Sequence, residues 1–98
     1  MELKVIVLHP LDNVATALVD LEQGEWVHTS DTKLKTTEAV PFGHKIALRH
    51  IARGATVTKY GEAIGCAGSD IGQGDLVHVH NLESQRGRGD LEERKDLA

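Results

Sequence analysis

The chain has 98 residues, the length of one domain, and its 40% apolar content includes three aromatic residues (Trp26, Phe42 and Tyr60), so an aliphatic core is expected. A net charge of −4 with mixed signs leaves no basic stripe to displace counterions from a phosphate backbone, which argues against a nucleic-acid partner. The single cysteine, Cys66, excludes an intramolecular disulfide, and no apolar run reaches the ~18 residues of a membrane span or forms an export signal, so a soluble cytoplasmic protein is expected.

In chain order, Leu3–Val7 alternates in period two and reads as the first strand. Val14–Leu18 reads as a second, although Val14, Ala17 and Leu18 also match the spacing of a helical turn. A seven-residue pattern then recurs four times: an apolar residue, two variable positions, Gly, two more positions and an aliphatic β-branched residue. The copies are Leu21–Val27, Val40–Ile46, Ile51–Val57 and Ile71–Val77. Gly accepts the positive φ of a tight turn and a β-branched residue suits a strand, so each copy predicts a turn feeding a strand. Strands are expected at Trp26–Thr29, Lys45–Leu48, Thr56–Lys59, Ala63–Ala67 and Val77–His80. Uneven spacing of Gly24, Gly43, Gly54 and Gly74 argues against a solenoid and for a compact all-β module. The ordered domain is expected over residues 1–82. Residues 83–98 read as a polar tail that stays flexible unless a partner orders it.

Three short motifs hold the residues most suited to chemistry. Val77-His78-Val79-His80, as a strand, turns both imidazoles to one face, where they can share a metal. Two histidines are too few for a complete site, and the same pattern describes a strand with a polar outer face. Gly43-His44-Lys45 places an acid/base directly after a turn, and Lys59-Tyr60-Gly61 offers an amine and a phenol. Buried lysine and tyrosine can act as base and acid once their pKa values are tuned; a solvated lysine and a tyrosine at the core rim fit the same residues. The chain has no GxSxG, P-loop, GxGxxG or HExxH motif.

Taken together, Asp12-Asn13-Val14-Ala15, Gly43-His44-Lys45-Ile46-Ala47-Leu48, Lys59-Tyr60-Gly61 with Ile64-Gly65, and His78-Val79-His80-Asn81 resemble, in family order, the SAF-type N-terminal domain of altronate and galactarate dehydratases. The resemblance extends to the separate small subunit of sulfolactate sulfo-lyase and covers roughly residues 3–82. It implies a mostly antiparallel, β-clip-like fold and a part in eliminating water or a related group from a sugar acid or other hydroxy acid. It also implies catalytic roles for His44, Lys45, Lys59 and Tyr60, substrate contacts for Asn13 and Asn81, metal ligation by His78 and His80, and a divalent iron or manganese ion in the assembled enzyme. The large catalytic region of the fused family members has no counterpart in these residues, so a separately encoded large dehydratase-like subunit is the expected partner. The resemblance leaves two further readings: a stand-alone module that binds a sugar acid or a protein without catalysis, and a homo-oligomerisation module.

Overall fold

The four repeated turns organise the molecule. In the computed structural model, which describes residues 3–84, the main-chain N–H groups of Glu25, His44, Ala55 and Asp75 donate to the carbonyls of Glu22, Pro41, Ala52 and Gly72. The glycine at the third position of each turn has φ between +78° and +90°. This combination defines a type II turn, whose third residue must adopt positive φ. The residues that open the repeats then pair two by two, Leu21 with Val40 and Ile51 with Ile71.

Side chains reinforce the pairing in a repeated way. Asp20, before the first copy, accepts from the N–H of Phe42 in the second, and Asp70, before the fourth, accepts from Arg53 in the third. Glu25 and Asp75 each fold back onto the N–H that opens their own turn.

The strands are β1 (Val5–Ile6), β2 (Val14–Ala17), β3 (Trp26–His28), β4 (Lys33–Lys35), β5 (Lys45–Ala47), β6 (Thr56–Lys59), β7 (Glu62–Ala67), β8 (Leu76–Val77) and β9 (Leu82–Ser84). Every pairing is antiparallel: a sheet of order β1-β2-β5-β8, the hairpin β3-β4, and a sheet of order β6-β7-β9. The described residues contain no helix, so the all-β architecture expected from the sequence is the one found, and Val14–Ala17 is a strand. Accordingly, no helix is long and apolar enough to cross a membrane among the described residues.

Three expectations change. First, the single core divides into two clusters around the central sheet. Ala15, Ala17 and Ile46 pack with Leu21, Val27, Leu34 and Val40 on one face, while Val14, Ala47 and Val77 pack with Ile51, Val57 and Ile71 on the other. Both faces of β2 and β5 are covered, which is why Val14 and Ala15 are buried side by side. Second, β8 stops at Val77, so His78 and His80 do not share a strand face. The Asn81 amide accepts from the His78 N–H (2.9 Å) and donates to the Leu76 carbonyl (2.8 Å), folding the chain into a turn. Third, β9 runs to Ser84, two residues beyond the expected domain boundary; the rest of the proposed tail, residues 85–98, lies outside the described residues.

Candidate functional site

Lys45 opens β5 directly after a type II turn, and Lys59 closes β6. Tyr60 and Gly61 form the two-residue loop between β6 and β7, with φ of +59° and +74°. Positive φ at both positions is the signature of a type I′ hairpin turn, in which tyrosine is a strained choice. Asp12, 2% exposed, holds the loop: its two carboxylate oxygens accept from the N–H groups of Tyr60 (3.1 Å) and Gly61 (2.8 Å). The His9 ring packs against Gly61, where a Cβ would stand 2.9 Å from its atoms.

These turns converge. Lys45, Lys59, Tyr60, Ile64, His78, Val79 and Leu82 line one open cleft of about 530 Å³. The His44 ring lies 4.7 Å from that of His78, centroid to centroid, tilted by 55°. The three sequence motifs therefore meet. Among the described residues, no acidic side chain lines the cleft. Burial, assisted by the nearby charge of Lys59, lowers the pKa of the Lys45 ammonium below the ordinary lysine range. The Lys59 ammonium stands 5.6 Å from the centre of the Tyr60 ring. Thr16, facing Lys45 across the β2–β5 pair, has a buried hydroxyl with no hydrogen-bond partner among the described residues.

The remaining expected residues are placed differently. Asn13 uses its amide on β6, donating to the Thr56 carbonyl (2.9 Å) and accepting from the Thr58 N–H (2.9 Å). Asn81 is equally committed to main chain, as described above, and is 8% exposed. His80 is exposed and not among the residues lining the cleft. Among the described residues, no three His, Cys, Asp or Glu side chains gather as a metal site. Sequence reasoning missed Asp12 as the clamp on the Tyr60 turn and Val79 as a member of the cleft. The Asp-Asn pair ahead of β2 was readable as a turn-capping signal; its target, 48 positions along the chain, was not.

A second cleft, about 480 Å³, is lined by Leu3, Lys4, Trp26, Val27, His28, Thr29 and Ser30. There the one lysine is tied to Glu25. The Lys45–Lys59 cleft is the better candidate, because it brings two ammonium groups, neither in an ion pair among the described residues, together with a phenol and an imidazole.

An all-β domain built on paired glycine turns, with a cationic cleft formed by three separated motifs, is the class of module that the comparisons identify more closely. The altronate/galactarate dehydratase SAF domain matches residues 3–85, and the chain belongs to that family. It is 47% identical over 79 residues to an altronate dehydratase of Escherichia coli, a match covering 81% of this chain and 16% of that protein. An altronate dehydratase of Bacillus subtilis is 39% identical with the same coverage. A (2R)-sulfolactate sulfo-lyase subunit alpha of Chromohalobacter salexigens is 38% identical over 88 residues, covering 82% of this chain and 94% of the subunit. The chain thus spans a small fraction of the dehydratases and nearly all of the sulfo-lyase subunit.

Proposed function

We propose that this chain is the small subunit of a heteromeric hydroxy-acid lyase, lending a cationic, proton-handling face to a site completed by a separately encoded large chain. The observation that carries this reading is the meeting of Lys45, Lys59, Tyr60 and His78 at one cleft. Its support in kind is a relative of nearly the same extent whose name makes it a subunit of a lyase.

Elimination from a hydroxy acid removes a weakly acidic proton beside the carboxylate, stabilises the resulting negative charge and protonates a departing group. Lys45, with its lowered pKa, suits proton abstraction better than an ordinary lysine. Lys59 suits the substrate carboxylate as a fixed positive charge. Tyr60 and His78 at the cleft, with His44 beside His78, are the groups suited to protonating the leaving group. Asn13 and Asn81 serve the site by fixing the main chain around it. A divalent iron or manganese ion would act as a Lewis acid when bound. The His44–His78 pair offers it two imidazoles, so the other ligands would have to come from the large chain.

The test is co-expression with a large dehydratase-like chain encoded beside it. Turnover of hydroxy acids is expected from the complex and not from the isolated chain, with Lys45→Met and Lys59→Met each lowering the rate of the complex. Substantial turnover by the rigorously pure small chain refutes the two-subunit reading. Sugar-acid binding with no large partner favours the stand-alone module.

A further inference from the structure

Two side chains at the cleft leave most of their surface outside their own chain's packing. Val79 is 81% exposed, a β-branched residue at the tip of a turn, and Tyr60 is 63% exposed on a left-handed backbone. Neither belongs to either core cluster. A strained conformation persists only where its surroundings impose it, and such sites concentrate at active sites, ligand clamps and switch regions. Here the imposition is explicit. Asp12 fixes the Tyr60 turn and Asn81 fixes the Val79 turn, each through two hydrogen bonds to main chain.

We infer that Tyr60 and Val79 form the docking surface on which the large lyase chain closes over the Lys45–Lys59 cleft; the inference rests on the lyase-subunit reading above. The partner surface it requires is an apolar patch edged by carboxylates. Tyr60 and Val79 meet the patch, and the positive charge of Lys45 and Lys59, offset by no acid among the described lining residues, draws the carboxylates to the cleft's edge while both ammonium groups stay free for substrate. Rigid, preformed turns limit the entropy lost on association, and tyrosine is enriched among residues that dominate interfaces. The competing apolar surface at Trp26 lacks this character. Trp26 lies on a strand without the left-handed backbone of Tyr60, and two ammonium groups, those of Lys33 (4.7 Å) and Lys35 (5.8 Å), stand over its ring where Tyr60 has one.

The experiment measures the dissociation constant between the full chain and the large chain that copurifies with it, for wild type, Tyr60→Asn, Val79→Asp and Trp26→Lys. Tyr60→Asn keeps a residue that tolerates positive φ, so its isolated chain is expected to melt no lower than wild type while binding weakens roughly 30-fold or more. Val79→Asp is expected to weaken binding to a similar degree with unchanged folding, and Trp26→Lys to leave binding unchanged. A complex insensitive to Tyr60→Asn and Val79→Asp overturns this surface and leaves the lyase-subunit reading standing. Failure of any large chain to bind wild type overturns both.

Discussion

Replacing Tyr60 by Asn is expected to stabilise the isolated chain. In the native loop, Tyr60 sits at φ +59° beside Gly61 at φ +74°, the positions at which type I′ turns favour Asn-Gly. A non-glycine residue held in the left-handed region costs about 1–3 kcal/mol, and asparagine is among the residues that visit it most readily. Against this gain stands the loss of the Lys59–Tyr60 contact, 5.6 Å from ammonium to ring centre and worth about 0.5–1 kcal/mol at an exposed site. The phenol makes no hydrogen bond among the described residues, and the N–H groups held by Asp12 are main chain, so both of those bonds survive the substitution. The balance is a gain of about 1 kcal/mol, which for a domain of this size raises the melting temperature by about 4–8 °C. Calorimetry or circular-dichroism melts of the full chain at neutral pH read this directly. A melting temperature below that of wild type would refute the argument that the strain of the turn outweighs what the Tyr60 side chain contributes within its own chain.

Other outcomes follow from the same geometry. Gly43→Ala introduces a Cβ with no atom within 4 Å and should cost about 1–2 kcal/mol from backbone conformation alone, whereas Gly74→Ala sets a Cβ 2.0 Å from the Lys35 carbonyl oxygen and must cost more; equal costs in urea melts would contradict this. Asn81→Ala leaves the His78 N–H and Leu76 carbonyl without their partner, which should destabilise the fold by about 1–3 kcal/mol and shift the His44 and His78 ring resonances together; an unmoved His44 would contradict the ring contact. Lys45 is held below its ordinary pKa, first by burial and then by Lys59, so the folded chain binds its proton less readily than the unfolded chain. Its contribution to stability therefore grows as pH rises from the folded pKa towards the ordinary value of 10.5, is full above it, and is lost as pH falls through the folded pKa. Lys45→Met should remove that part of the alkaline rise in a series of urea melts, and an unchanged profile would count against the burial of the amine.

Local chemistry was legible in the sequence, and long-range clamps were not. The glycine turns could be read because positive φ is demanded within four residues, and the strands that follow them begin within a residue of their expected starts. Lys33–Lys35 escaped because one apolar residue between two lysines makes no pattern, and Leu82–Ser84 escaped because it opens a polar run. The alternation of Val77-His78-Val79-His80 pointed to a strand, but the Asn81 side chain competes for its main-chain groups and turns it. One available signal went unread: Asp20-Leu21-Glu22-Gln23-Gly24 and Asp70-Ile71-Gly72-Gln73-Gly74 share Asp, Gln and Gly at matching positions, and the two aspartates perform the same task. The meeting of the three site motifs followed from turn placement, whereas the strain at Tyr60 depends on Asp12 and has no local signature.

The two isolated bridges bear on how the chain reaches its native state. Leu21 meets Val40 and Ile51 meets Ile71, so each cluster is founded on a contact that closes a loop of roughly 20 residues, a modest entropic demand. Folding consequently has two places to start, one in each half of the chain, and the central sheet joins halves already ordered by their own turns. Kinetic routes that begin at either end should run in parallel, and a slow step introduced in one half would divert the flux through the other before it lowered the overall rate.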